Sequence, residues 1–342
     1  MQIATTSPLC APVKIAILAL NGAVYSSIIG PMDVFSVANA LRTAAGQHDF
    51  AQVRILRVGR RSPLSFNQLN IHTHGCIDTG DRFDVVILPA MMGVVDGQGR
   101  GFPAFESPRL VAWLLRQHDQ GACLSSVCAG AFLLARTGLL DGRKATTHWN
   151  LAAQFKKSYP QVQLQAQRML IDEHDLITAG GVTAYFDLAL HLVRKFGSTE
   201  LAAGCSKFLL IDPQRNCQSP YQPGQFQTSH ADAAILALQQ YLEGHYSERM
   251  TLEQMGTVAG LGQRTLLRRF RKAIGDSPIM YLQRLRIEAA RRQLELSRDS
   301  IDEIAWQVGY EDSSSFNRLF KRITGMTPGG YRKRFSLTVM AG

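Results

Sequence analysis

The sequence predicts an α/β domain, a mostly parallel sheet with helices on both faces, followed by an all-α domain with two helix-turn-helix units. Three observations carry this. Strand-like and helix-like segments alternate through the first 212 residues. The composition then shifts to a glutamine- and proline-rich stretch at 213–230. Beyond it, from 231 to 342, one helical pattern is written twice, about 50 residues apart.

The strand candidates are Val13–Leu20, Gln52–Val58, Phe83–Pro89, Ala122–Val127 and Asp175–Thr178. They are short stretches rich in Val, Ile and Leu, as strands are. The helix candidates are Pro31–Ala45, Pro108–Gln120, Ala129–Leu140, Asn150–Tyr159 and Thr183–Phe196. Alternation of this kind implies βαβ units. Leu64–Thr79 reads as a hairpin excursion between them. "DPQRNCQSPYQPGQFQTSH" (Asp212–His230) has three prolines, five glutamines and no periodic apolar face, and reads as an interdomain linker.

Composition narrows the function classes. With 342 residues, 46% of them hydrophobic, the chain can bury a sizeable core. No stretch approaches the roughly 20 apolar residues of a membrane span. Val13–Leu20 reads as a first strand and not a signal peptide, because Lys14 is the only early cation. The six cysteines form no CxxC pair. That argues against zinc and a disulfide framework and fits a reducing cytoplasm. No metal or cofactor is expected. Residues 1–230 carry 20 Lys+Arg against 15 Asp+Glu, and residues 231–342 carry 17 against 12. Each part is therefore +5, but the second is half as long, so its positive density suits a polyanion.

In the helical part, "FRKAIGDSPIMY" (Phe270–Tyr281) and "FKRITGMTPGGY" (Phe320–Tyr331) share F-[RK]-[KR]-x-x-G-x-x-P-x-x-Y. Upstream, "LEQMGTVAGL" (Leu252–Leu261) pairs with "IDEIAWQVGY" (Ile301–Tyr310). Each repeat reads helix, glycine turn at Gly260 or Gly309, second helix, glycine stop, proline. Pro278–Leu296 reads as the helix joining them. Phe316, Leu319, Phe320 and Ile323 form one apolar stripe, and Leu266, Phe270 and Ile274 form its counterpart. The opposite faces carry Gln263, Arg264, Arg268, Arg271 and Lys272 in the first repeat. In the second they carry Ser313, Ser314, Asn317, Arg318, Lys321 and Arg322. One basic amphipathic helix is usually a solvated surface; two, each behind a helix and a glycine turn, point to DNA. Arginine pairs with guanine and asparagine with adenine in the major groove, while other cations neutralise phosphates. Arg268 and Arg318 hold matching positions and lead the candidates.

These residues resemble the DNA-binding domain of AraC-type transcription regulators over about Asp232–Phe335. The resemblance implies two recognition helices reading adjacent major-groove segments, and an activator that contacts RNA polymerase. Leu267 departs from the polar residue common at its position, which removes one direct base contact.

The remaining motif is "LSSVCAGAFLLARTGLL" (Leu124–Leu140), which places Cys128 at a strand-to-helix turn. Nucleophiles occupy such turns in several hydrolases. A helix N-terminus lowers a thiol pKa, and that is the expectation for Cys128. "GPMDVFSVAN" (Gly30–Asn39), "DVVILPAMMG" (Asp84–Gly93), "SSVCAGAFLLARTGLLDGRKATTHW" (Ser125–Trp149) and "TAGGVTAYFDLALHLV" (Thr178–Val193) resemble the glutamine amidotransferase-like ThiJ/PfpI superfamily. The whole chain thus resembles GlxA-type regulators, which fuse a PfpI-like domain to an AraC-type one. PfpI-type peptidases have histidine after the cysteine; here it is Ala129. The acid from the first strand–helix loop falls, by register, at Ser27. Three readings of Cys128 remain: pocket floor, buried structural cysteine and retained catalyst. Further pocket candidates are His148, Gly93, and Asp33 as a helix cap or pocket group. Gly181, with Gly180, opens a helix that can hold an anion. "GQGRG" (Gly97–Gly101) lacks a Walker ending and reads as a loop.

The expectation is a cytoplasmic, sequence-specific transcription regulator. Its sheet domain binds a small-molecule effector, an amino acid or quaternary amine by family analogy, and mediates homodimerisation. The rival reading is a PfpI-class cysteine enzyme with an attached DNA-binding domain.

Overall fold

The computed structural model describes residues 11–78, 80–92, 107–213, 215–224, 226 and 230–336. Gly93 and the 97–101 loop lie outside the described residues. The chain divides into two compact units between Gln218 and Ser219.

Among the described residues, the first unit contains nine strands. They are β1 (Val13–Ala19), β2 (Ala51–Arg57), β3 (Gly75–Cys76), β4 (Val85–Leu88), β5 (Cys123–Val127), β6 (Lys144–Ala145), β7 (Gln163–Leu164), β8 (Leu170–Asp172) and β9 (Leu176–Ala179). Its helices are α1 (Ser26–Ala44), α2 (Pro108–Asp119), α3 (Gly130–Arg136), α4 (Ala152–Ser158), α5 (Tyr185–Phe196) and α6 (Thr199–Phe208). Seven strands form one sheet in the order β3-β2-β1-β4-β5-β9-β8, and β6 pairs with β7 apart from it. All neighbours in the large sheet are parallel except β8 and β9. Ile15 sits opposite Val85, Val85 opposite Cys123, and Leu124 opposite Leu176. Every residue of β4 and β5 is buried, as strands covered on both faces must be. β1 has β2 on one side and β4 on the other. Strand order reverses there, so the crevice for a ligand opens at the carboxyl ends of β1 and β4.

Several boundaries differ from the sequence expectation. α1 begins at Ser26, so Pro31 lies inside it. A proline at the first helical position is the commoner arrangement, and that preference placed the expected start too late. Asp33 is therefore exposed in the second turn and caps nothing; the N-cap is Tyr25. Within the described part of the 64–79 stretch, Leu64 and Asn70 form an antiparallel bridge, a small hairpin outside the large sheet, and the chain runs on into β3, a short strand parallel to β2. β8 and α6 were not expected: β8 is three residues long, and α6 carries mixed small and polar residues.

The 213–218 segment belongs to the first unit. Cys217 bridges to Arg168, and Gln218 is 2% exposed. On the other side of the division, Arg291 donates to the carbonyls of Pro220 (2.6 Å) and Gln222. Both flanks of the expected linker thus satisfy backbone or side-chain groups of their own unit.

The second unit has α7 (Ala233–Gly244), α8 (Leu252–Ala259), α9 (Gln263–Ile274), α10 (Pro278–Leu296), α11 (Ile301–Gln307), α12 (Ser313–Thr324) and α13 (Pro328–Phe335). It has two apolar cores. Ile235, Leu238, Met255, Leu266, Phe270 and Tyr281 form the first; Ile304, Val308, Phe316, Phe320 and Tyr331 form the second. α10 serves both, giving Leu282 and Leu285 to one and Ile287, Ala290 and Leu294 to the other.

The repeated motif has a physical reading at each position. Gly275 and Gly325 end α9 and α12 in the left-handed region, at φ 80° and 78°. Ser277 and Thr327 cap the next helices, whose first residues are Pro278 and Pro328. Tyr281 and Tyr331 then pack edge-on against Phe270 and Phe320, each pair 5.5 Å apart. Thr251 with Gln254, and Ser300 with Glu303, close capping boxes on α8 and α11.

Candidate functional site

Cys128 follows β5 directly and holds φ +55°, a left-handed conformation unusual for a side-chain-bearing residue. Its neighbours enforce it. The Cys128 N–H donates to Ala179 O on β9 at 2.8 Å, and its carbonyl accepts from Thr147 Oγ1 at 2.8 Å. The following Gly130 has no room for a Cβ, which would meet the carbonyl oxygens of Pro89 and Leu88 at 2.7 and 2.9 Å. The turn is therefore clamped between β4, β9 and the 146–147 segment.

That clamping buries the turn. Cys128 is 4% exposed and Ala129 is fully buried. Burial pushes the Cys128 thiol up to about 12; a hydrogen bond from the Ala129 backbone opposes this weakly. The expected lowering does not occur. α3 has only seven residues, and desolvation outweighs its dipole.

The other predicted pocket residues have structural partners. Ser27 is fully buried, donates to Val24 O at 2.7 Å and accepts the Ala90 N–H at 3.0 Å. His148 caps the short 3-10 turn Trp149–Leu151; its Nδ1 accepts the Asn150 N–H at 3.1 Å, and burial depresses its basicity. Gly180 is not an anion seat. A Cβ there would lie 2.0 Å from Gln218 Nε2. The Gln218 amide fills that space and donates to Thr147 O, Ala166 O and Arg168 O at 2.8–3.0 Å. Gly181 caps only the three-residue 3-10 turn Val182–Ala184. The structure brings Cys128, Ala129 and Thr147 together, with Gln218 against Thr147; it leaves Asp33 exposed on α1.

Open space lies elsewhere in this unit. A cleft of about 660 Å³ is lined by β8, one face of α5, α6, Pro213, Arg215 and Asn216. None of the predicted pocket residues lines it. The signal for it was present in the sequence. Asp187, His191 and Arg194 recur at i, i+4 and i+7, a polar line on a helix whose other face is buried. Among the described residues, no group of three or more His, Cys, Asp or Glu is arranged to hold a metal ion.

In the second unit, α9 and α12 follow α8 and α11 across glycine turns. Gln263, Arg264, Arg268, Arg271 and Lys272 are exposed on α9, and Leu267 is 39% exposed among them. Ser314, Arg318, Lys321 and Arg322 are exposed on α12. Among the described residues, none of these cations is in an ion pair with a carboxylate. Arginines that serve the fold behave differently. Arg269 pairs with Asp232, and Arg286 donates to Tyr246 O and Glu248 O. Two expected contacts are engaged within the unit: Ser313 Oγ donates to Asp302 at 2.6 Å, and Asn317 Nδ2 donates to Ser313 O at 2.8 Å.

A DJ-1/PfpI family model matches residues 13–195. The chain belongs to the DJ-1/PfpI family. A helix-turn-helix domain model matches residues 255–334. The chain is 31% identical over 228 residues to the HTH-type transcriptional regulator GlxA of Rhizobium meliloti, covering 65% of this chain and 68% of that one. It is 26% identical over 323 residues to the HTH-type transcriptional regulator GbdR of Pseudomonas aeruginosa, covering 94% and 84%. The crystal structure of an AraC family transcriptional regulator from Pseudomonas putida matches 58% of this chain and 100% of its own, with a TM-score of 0.50 at 23% identity. That likeness concerns the fold. This DJ-1/PfpI protein is a DNA-binding transcription regulator with an AraC-type helix-turn-helix domain.

Proposed function

We propose that α9 and α12 read adjacent major-groove segments of an operator, with Arg268 and Arg318 as the leading contacts. Gln263, Arg264 and Ser314 are the further base-reading candidates, and Arg271, Lys272, Lys321 and Arg322 face phosphates. The observation that carries this is the row of exposed cations on both helices without carboxylate partners among the described residues. Evenly matched surface charges would have neutralised that field. The engaged Ser313 and Asn317 side chains are secondary contacts at most.

The N-terminal unit, in this reading, takes up a small-molecule effector, pairs with a second copy and performs no turnover. A buried thiol near 12 supports the last point, because the thiolate is the nucleophile. The chain acts in the cytoplasm as an activator that meets RNA polymerase. The test is selection of duplexes from random-sequence DNA, followed by footprinting. Two protected major-groove segments about one helical turn apart are expected. Recovery of no preferred sequence defeats the specific-reader assignment.

A further inference from the structure

The cleft in the first unit has an unbalanced inventory of charge. Both of its carboxylates are already engaged. Asp172 accepts from Lys195 Nζ at 2.8 and 2.9 Å and from His191 Nε2 at 2.7 Å. Asp187 is clasped by Arg215, which also donates to Thr183 Oγ1 and Thr183 O, both at 3.0 Å. His191 gives its Nε2 hydrogen to Asp172, so its Nδ1 accepts from Arg194 at 3.0 Å. Burial lowers the basicity of this imidazole, against the opposing pull of Asp172, and its Nδ1 faces Arg194.

Two guanidiniums remain. Arg168 and Arg194 both line the cleft and are exposed, and among the described residues neither is paired with a carboxylate. Guanidinium matches a carboxylate in a two-point geometry that lysine does not offer. The lining also supplies apolar side chains, among them Leu190 from α5 and Ala202 from α6. The volume is in the range of small-molecule sites. The rim matters too. Pro213, Arg215 and Asn216 close one side of the cleft, and the chain passes into the second unit three residues after Arg215.

We infer that this cleft, and not the Cys128 turn, is a binding site for a small aliphatic carboxylate, gripped by Arg168 and Arg194 over Leu190. Its role as the effector site rests on the regulator reading above. The ligand's carboxylate adds the negative charge that the cleft lacks, and its methylene groups cover the apolar side chains of the lining. A ligand there also braces Arg215 and Asn216, which are otherwise held by Asp187, Thr183 and the Met169 N–H.

The test uses the full chain with succinate, and with succinamide as the uncharged analogue. Succinate is expected to bind saturably by calorimetry, raise the melting temperature and slow amide exchange over residues 199–216. Succinamide is expected to do none of these. Arg168→Gln and Arg194→Gln each weaken succinate binding at least tenfold, while Arg116→Gln, an exposed arginine on α2, leaves it unchanged. Both cleft arginines are exposed, so the variants keep their fold, and the exchange measurement on wild type needs no variant. Absence of saturable binding overturns the inference, as does binding that survives both cleft variants or protection confined to the Cys128 turn. DNA affinity in the same titrations separates the two readings. A chain that binds its selected duplex but not succinate loses the cleft and keeps the regulator assignment. Succinate bound through both arginines, with DNA affinity unchanged, keeps the site and defeats its effector role.

Discussion

The Ser27 hydroxyl joins the start of α1 to the end of β4, accepting the Ala90 N–H at 3.0 Å while donating to Val24 O at 2.7 Å. This bond crosses the crevice where strand order reverses, the place a ligand would enter. The protein's own groups thus meet at this point of the crevice. Ser27→Ala leaves the buried Ala90 N–H without that acceptor, at a cost of about 1–3 kcal/mol. Urea unfolding of the isolated 1–218 unit and of the full chain should both report the loss, with an unchanged denaturant slope. Equal stability of mutant and parent removes the structural role.

Cys128 should be slow to alkylate. Its thiol is buried and pushed up to about 12, whereas Cys76 and Cys217 are half-exposed. Iodoacetamide at neutral pH, read by peptide mass spectrometry, is expected to label Cys76 and Cys217 well before Cys128 in the folded chain. Denaturation should erase the difference. Rapid native labelling of Cys128 contradicts the buried-thiol reading and reopens cysteine chemistry. Cys128→Ser should keep DNA binding, since sulfur and oxygen fill similar space.

The two halves of the chain were not equally legible in sequence. In the helical half, each motif position is a local rule: a left-handed glycine, a cap, a proline at the first turn, an aromatic anchor. Such rules are written within a few residues, so the helices were readable. The sheet rhythm was readable for the same reason, because β4 is a continuous apolar run and β1 is nearly one. The site was not. The Cys128 backbone is held by Thr147 and Ala179, and the Gly180 space is filled by Gln218, 38 residues away in sequence. The cleft likewise assembles Arg168, Arg194 and Arg215 from three separate segments. The polar line on α5 marks one wall of the cleft, but no local pattern encodes its meeting with Arg168 and Arg215.

Asp175 should dominate one part of the acid response. Its carboxylate accepts from Arg143 Nη1 at 3.0 Å and from His118 Nε2 at 2.7 Å, and the Arg143 bond holds its carboxyl well below the ordinary 3.8. A folded-state pKa below the unfolded value contributes stability above the unfolded pKa. The contribution fades as pH falls through the lower folded value. Asp175→Asn should therefore lower the melting temperature at pH 7, and its deficit against wild type should shrink below about pH 4. A deficit independent of pH points to packing alone.

Gly309 ends the first helix of the second repeat at φ +91°, and a Cβ there would lie 2.4 Å from Ser247 O. Backbone strain in this region costs an L residue about 1–2 kcal/mol, and the overlap adds to it. Gly309→Ala should destabilise the helical unit and displace α12 relative to α11, weakening DNA binding. Gly260→Ala has the strain, at φ +64°, but open space at its Cβ, and should cost less. Thermal melts of the two variants check the order; Gly260→Ala as the costlier change contradicts the contact argument.

Arg268 and Arg318 occupy equivalent exposed positions on α9 and α12, each opposite a buried phenylalanine stripe. Loss of a good bidentate base contact costs about 1–3 kcal/mol, roughly a 5- to 150-fold drop in affinity. Arg268→Ala and Arg318→Ala should each weaken binding to the selected duplex while the melting temperature holds. An arginine that reads a base relaxes discrimination at one position of the site. One that touches only phosphate lowers affinity almost uniformly and reduces the salt slope by about one unit. If both helices enter successive major grooves, the two affected positions lie about one helical turn, roughly 34 Å, apart. Arg269→Ala is the contrast, because Arg269 is held by Asp232; it should lower stability with the site preference unchanged. Titrations at several salt concentrations, on selected and scrambled duplexes, distinguish the three outcomes. Unchanged binding by both folded Arg268 and Arg318 variants at every salt concentration excludes these helices as the DNA readers.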